Sequence, residues 1–325
     1  MQKKILDITQ VFLRWSVPAI LIFVVFYSVI ETHQEKKMFI VDYTTDAVGV
    51  LSQLHEQGAI NNLAYSAGRI AVELGFDIEA GGFELANGMG PFSFLAAAFS
   101  PEFKYVAVVE GLRKEQIAEI LGKKLDWNED EKNVFSNSLP ICVFTGGEGY
   151  LFPGTYLIHK NEKPADVRNR MEKELFDTVD DIAVESNASE GILNLRQVVT
   201  IASLIQREAA GKEDMRLISG IIWNRLFDEM PLQIDATLQY VKANEDNGWW
   251  PQVASADKYL DSPYNTYQNK GLPPGPIANP GKAAIEAALN PADTACIFYL
   301  HDRSRNIHCT TTYAKHKQNV NYYLK

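Results

Sequence analysis

Residues Trp15 to Ile30 form a charge-free apolar run, extended backwards past Arg14 by Val11, Phe12 and Leu13. About 20 apolar residues cover the hydrocarbon core of a bilayer, so this run can span one if Arg14 reaches back to the interface. A cleaved signal peptide is the rival reading. The residues that follow, Glu31-Thr32-His33-Gln34, lack the small-x-small pattern of a cleavage site, and an uncleaved transmembrane helix is therefore expected. Lys3, Lys4 and Arg14 on one side outnumber Lys36 and Lys37 on the other by a single charge, which places residues 1–14 in the cytoplasm and the bulk of the chain outside.

Behind the anchor and a polar linker over 31–37, enough chain remains for two domains of ordinary globular balance, 46% hydrophobic and 22% charged. A net charge of −10 with no Lys/Arg run excludes a sequence-independent nucleic-acid binder, which needs a basic face. Cys142, Cys296 and Cys309 are widely spaced with no CxxC, so they read as buried or incidental; a Cys296–Cys309 disulfide across a hairpin is the alternative if the domain is extracytoplasmic.

The first exterior stretch, 38–145, reads as a small α/β region. Val48, Leu51 and Leu54 mark a short helix ending near Gly58, and Ala80 to Leu85 supplies a glycine turn before a strand. Val106 to Val109 reads as a buried strand leading through Glu110-Gly111 into a helix with Ile117, Ile120 and Leu121 on one face. The strand-turn-helix repetition predicts two similar small modules. From Glu148 to Tyr156 the pattern becomes aromatic and turn-rich, as at a domain junction or a sugar-stacking surface. Pro164 to Glu185 is an amphipathic helix with Val167, Met171, Leu175, Val179 and Ile182 along one stripe.

The chemistry concentrates beyond Leu195. Positions 201, 204, 205 and 208 follow one face of a helix, and where a fourth aliphatic residue would fall the chain has Glu208. Desolvation raises a carboxyl pKa, and an acid still protonated near neutral pH is what breaking a glycosidic bond requires. The bland reading is a structural pair with a buried cation such as Arg225. Gly211 allows a break before a second helix, about 213–228, that packs Met215, Ile218, Ile222 and Leu226 inward. This helix carries Asn224 near its end, a candidate substrate contact. In Leu232 to Thr237, alternation would put Gln233, Asp235 and Thr237 on one side of an extended segment, either a substrate-orienting wall or a solvated edge strand. The Gly271-Leu272-Pro273-Pro274-Gly275-Pro276 stretch predicts a rigid irregular loop presenting Tyr264, Asn265 and Thr266, as sugar contacts or as plain scaffold. Residues 295–300 and 307–312 read as paired strands before a helix containing His316. His308 and His316 lack any metal-ligand spacing and read as structural.

Taken in order, Ile201 to Leu226, Leu232 to Thr237, Tyr264 to Tyr267 with the Gly-Leu-Pro-Pro-Gly loop, and His308 to His316 resemble the endolytic murein transglycosylases of the MltG (YceG-like) family. The resemblance implies an α+β protein with an N-terminal transmembrane helix, a LysM-like region over 38–145 and a mixed α+β catalytic domain over 146–325. It implies a lyase that needs no cofactor or metal, cuts nascent peptidoglycan strands between MurNAc and GlcNAc, and leaves 1,6-anhydro ends. Glu208 matches the catalytic glutamate; Asn224, Gln233, Asp235, Tyr264, Asn265 and Thr266 are then the substrate-binding candidates. Partnership with peptidoglycan synthases follows from the family. The sequence departs from the family pattern at Gln206, Gly154 and Phe83, where an acid, Asp and Tyr are usual, and in the insert-like segment Lys242 to Lys258 with its Trp249-Trp250-Pro251. A hydrolytic muramidase using Asp235 as second carboxylate, and a non-catalytic wall-binding scaffold, are the rival functions.

Overall fold

A computed structural model of the chain describes residues 35–87, 89–98, 101–137, 147–185, 194–244 and 246–325. The apolar run Trp15 to Ile30 lies outside the described residues, as does Cys142. Among the described residues, no helix is long and apolar enough to cross a membrane. Two compact units divide the chain, the first ending at Tyr105 and regaining Leu157–Lys160, the second holding Val106–Tyr156 and Asn161–Lys325. The division falls inside a strand.

The first unit runs β1 (Lys36–Ile40), α1 (Ala47–Glu56), α2 (Asn62–Glu73), β2 (Gly81–Ala86), α3 (Pro91–Ala98) and into β3 (Phe103–Val108). Its helices start where short polar side chains satisfy free amides: Asp46 Oδ1 accepts from the Gly49 N–H at 2.7 Å, and Asn61 Oδ1 from the Ala64 N–H at 2.9 Å. β1 and β2 pair antiparallel with Phe39 opposite Phe83, and the four-stranded sheet has the order β1-β2-β3-β4, with β4 at Gly154–His159. Phe39, Leu51, Leu54, Phe83, Leu85 and Phe94 fill the core beneath. The 106–109 strand is buried on one face only. Val106 and Val108 point inward, Ala107 is exposed and Val109 lies beyond the strand at 60% exposure, the period-2 outcome for a sheet wetted on one side.

The second unit holds α4 (Lys114–Leu125), α5 (Glu129–Asn137), α6 (Pro164–Glu185), α7 (Leu195–Glu208), α8 (Lys212–Phe227), α9 (Asp235–Lys242), α10 (Lys282–Leu289), the hairpin β5 (Phe298–His301) and β6 (Ile307–Thr310), and α11 (Tyr313–Tyr323). All five stripe residues of α6 are buried. So are Arg168 and Glu172 on the same helix: Arg168 Nε donates to Glu172 at 2.7 Å, and its Nη1 donates to the carbonyls of Phe135 and Ser136 at the end of α5, satisfying acceptors that the helix leaves open. The central element is α7, buried from Val198 to Ile205 and packed against α8 and α10 through Ile201, Leu204, Ile218, Ile222, Ile285 and Ala288. Each such side chain contributes roughly 1.5–3 kcal/mol by leaving water. A reciprocal cap, Asn194 Oδ1 with the Gln197 N–H and Gln197 Oε1 with the Asn194 N–H, both at 3.0 Å, starts it.

Candidate active site

α7 ends at Glu208, and the break that follows is made by a side chain rather than by glycine freedom. Gly211 has φ −165°, open to any residue. The carboxylate of Asp214 accepts the N–H groups of Ala210 and Gly211, both at 3.1 Å, and starts α8 at once. Asp214 Oδ2 also meets His301 Nε2 at 2.6 Å, so α8 and the β5 strand are tied together.

Glu208 itself is partly buried, and the Tyr299 hydroxyl donates to its Oε2 at 2.5 Å. The Ala236 N–H, in the first turn of α9, also faces it. Burial pushes the Glu208 pKa up and the neighbouring Asp235 adds to the rise, while the Tyr299 and Ala236 donors and His301 oppose it. Burial and the carboxylate beside it push the Tyr299 hydroxyl well above its ordinary value, so it remains a donor. Arg225 does not pair with Glu208. Its guanidinium donates to the carbonyls of Ile297 (2.7 Å) and Leu232 (2.5 Å), locking the approach to β5 against the approach to α9. No ion pair reaches Glu208 among the described residues.

The segment expected to be extended is instead a helix start. Gln233 takes φ +54°, its N–H bonded to the Thr266 carbonyl at 3.0 Å, and α9 begins at Asp235. Gln233 and Asp235 are exposed, but Thr237 is buried on the helix, its hydroxyl donating to the Ile234 carbonyl at 2.7 Å and meeting the Thr266 hydroxyl at 3.0 Å. An αL residue followed by a turn of helix breaks the alternation that a strand would need. Asp235 accepts from the Tyr267 hydroxyl at 2.6 Å, a second tyrosine-carboxylate pair beside the first.

Three expected contact residues are spent within the fold. Asn265 is fully buried, donating to the carbonyls of Lys258 (3.2 Å) and Leu260 (2.8 Å) and accepting from the Tyr267 N–H at 2.9 Å. Thr266, 2% exposed, holds the Ile234 N–H at 3.0 Å. Asn224 donates to the carbonyls of Thr294 and Cys296, at 2.7 and 2.9 Å. The loop therefore presents Tyr264, half-buried against Tyr240 at 5.0 Å, and buries the two residues after it.

The aromatic turn around residue 149 and the Gly/Pro loop, far apart in sequence, close on each other. Gly149 has φ +87°, and a Cβ there would stand 2.4 Å from Pro276 Cβ, so only glycine fits. Buried Asn279 accepts the Leu151 N–H at 2.8 Å and donates to the Leu112 carbonyl at 2.9 Å and Glu148 Oε1 at 3.0 Å. Glu148 also accepts the Lys114 N–H at 3.1 Å; burial, with Glu115 adding to it, pushes its pKa up to about 8.

Cys296 and Cys309 form a disulfide across the start of the β5–β6 hairpin, correcting the reading of the cysteines as incidental. Cys309 is the register partner of Tyr299, so the crosslink is anchored opposite the residue that touches Glu208. His308 bonds Asp302 at 2.9 Å and stacks on Tyr323. Tyr299, His301 and Asp214 are not singled out by the sequence, whereas Tyr267 closes the Tyr264 to Tyr267 stretch that carries the resemblance. The one signal that the sequence holds for the others is Tyr299 and His301 at strand spacing on one face.

A desolvated carboxyl with a tyrosine donor on one oxygen and, among the described residues, no ion pair has the arrangement that general acid/base chemistry uses, here on an α+β scaffold. The YceG-like family matches residues 39–322, and the chain belongs to that family. It is similar to the endolytic murein transglycosylase of Bacillus subtilis (strain 168), 31% identical over 278 residues that make up 80% of this chain and 73% of that protein. The endolytic murein transglycosylase of Streptococcus pneumoniae serotype 2 (strain D39 / NCTC 7466) is 32% identical over 175 residues, 53% of this chain but 31% of the pneumococcal protein. The crystal structure of a yceG-like protein from Listeria monocytogenes shares the fold, with a TM-score of 0.61 at 22% identity over 87% of this chain and 98% of that one.

Proposed function

We propose that this protein is an endolytic peptidoglycan lytic transglycosylase, a lyase in which Glu208 acts first as acid and then as base. Protonated Glu208 gives its proton to the oxygen leaving C1 of MurNAc. The resulting carboxylate, held by the Tyr299 hydroxyl and the Ala236 N–H, takes the proton of the same sugar's 6-hydroxyl as O6 bonds to C1. One bond breaks, one forms, and no water is consumed. The observation that carries this reading is the raised proton affinity of an acid that has a tyrosine donor and no ion pair.

In this reading Gln233, Asp235 and Tyr264 face the glycan, with Asp235 stabilising the oxocarbenium-like charge. Asn224, Asn265 and Thr266 support the wall from behind. The first unit, with its antiparallel βααβ order, takes the LysM-like role. Residues 15–30 act as a single-pass anchor that keeps the catalytic unit outside the cytoplasm, beside the synthases whose nascent strands it cuts. Glu208→Gln should lower release of soluble fragments from purified wall by at least about a hundredfold. Mass spectrometry of the wild-type products should find 1,6-anhydro-MurNAc ends; reducing MurNAc ends would instead make Asp235 the activator of water and the protein a muramidase.

A further inference from the structure

Two arginines of the second unit lie under two adjacent tryptophans and differ in one respect. The guanidinium of Arg113 sits 4.3 Å from the Tyr240 ring centroid and 5.0 Å from that of Trp249. The Glu115 carboxylate lies 3.4 Å from its Nε and Glu148 lies 3.8 Å away. The guanidinium of Arg207 lies 3.7 Å from the ring centroid of Trp250, and no carboxylate pairs with it among the described residues. Among the described residues its one hydrogen bond is a long one, from Nη1 to the Gly111 carbonyl at 3.4 Å, and its buried Nε, like that of Arg113, has no hydrogen-bond partner. Burial lowers its pKa, and the charge of Glu208 only partly opposes the fall.

Trp250 is fixed in turn. Its Nε1–H donates to Gln116 Oε1 at 3.2 Å, and the segment that carries it is pinned by Gln239 to the Pro251 carbonyl at 3.1 Å, by Lys242 to the Gln252 carbonyl at 3.0 Å and by the Lys242–Asp257 pair at 2.5 Å. A guanidinium stacked by its face keeps its edge for hydrogen bonds in the plane, and the fork of such an edge matches a carboxylate. Arg207 precedes Glu208 in the chain, and the two charges feel each other.

We infer that Arg207, on its Trp250 platform, is a substrate subsite that binds a carboxylate of the stem peptide carried by the glycan strand. The inference rests on the peptidoglycan reading above and names the part of the substrate that a glycan-only site would ignore. The insert-like segment 242–258 supplies the indole that orients the cation.

Binding without turnover tests it. Full-length Glu208→Gln protein in detergent would be titrated with purified glycan strands bearing free stem-peptide carboxylates, and with the same strands after carbodiimide amidation by ammonia. A charge-assisted bidentate contact is expected to make the anionic strands bind about tenfold tighter. Adding Arg207→Gln, or Arg207→Met, which keeps the stem over Trp250, should abolish that preference in whichever variant melts like its parent. Equal binding of both strands by the parent, or an undiminished preference in either folded variant, would overturn the subsite and leave the catalytic proposal standing. Failure of the parent to bind either strand would sink both, and fragment release by Glu208→Gln would sink the catalytic proposal alone.

Discussion

In the proposed reaction Tyr299 sets the proton affinity of Glu208, because its hydroxyl favours the carboxylate while burial favours the acid. The proposed cycle starts from the protonated form, so activity falls as pH rises through the Glu208 pKa. Removing the donor raises that pKa further. Tyr299→Phe should therefore move the alkaline limb of the kcat/KM profile to higher pH while lowering kcat by roughly tenfold, the worth of a hydrogen bond to a charged group. An alkaline limb left in place would mean that Tyr299 does not govern the acid. Helical spacing singles out Glu208, one carboxyl among Ile201, Leu204 and Ile205, but leaves open whether it is an acid or half of a structural pair. Tyr299 is not singled out, because it lies on a strand 91 residues away and only the fold brings the two together. Asn265 and Thr266 fail for the converse reason: the polar side chains that a Pro/Gly loop would display are the ones that satisfy its own buried backbone.

Among the elements, the start of α4 depends on a buried acid from a distant turn. Glu148 accepts the N–H of Lys114, the first residue of that helix, and the amide of Asn279, so one carboxyl joins α4, the aromatic turn and the loop before α10. Its folded pKa of about 8 lies above the ordinary value of 4.5, so the native state holds a proton that the unfolded chain gives up. The sign follows: the contribution is fully present below about pH 4.5 and is lost as pH rises through 8. Glu148→Gln keeps the oxygen acceptor and cannot ionise. It should flatten the decline in unfolding free energy between about pH 5 and 8, which in the wild type amounts to roughly a few kcal/mol. Parallel urea melts of the two proteins across that range would test this, and identical slopes would refute it. Helix spans with a clear apolar stripe, α6 above all, are readable from the sequence to their ends. The Arg168–Glu172 pair inside α6 is not, because its partners are carbonyls at the end of α5, and no local pattern announces a helix end in need of a cation.

For the molecule as a whole, the disulfide links the site to the compartment. Cys296 and Cys309 are 13 residues apart, and closing a loop of about that size is worth roughly 3 kcal/mol, so Cys296→Ser/Cys309→Ser should lose about that much stability. The loss should fall first on the hairpin that carries Tyr299 and His301, because Asn224 and Arg225 grip the carbonyls of Thr294, Cys296 and Ile297 only while that stretch stays in place. Activity should thus decline under reductant at temperatures where the rest of the second unit remains folded, and hydrogen exchange should show β5 and β6 opening ahead of α7 and α8. The crosslink persists only in an oxidising setting. This constrains an orientation that the flanking charges, three against two, leave nearly balanced. If the anchor points the catalytic unit outward, thiol trapping in intact cells before lysis should find Cys296 and Cys309 unreactive until reduced. A fully reduced pair would argue that the unit faces the cytoplasm, where no glycan strand would reach Glu208.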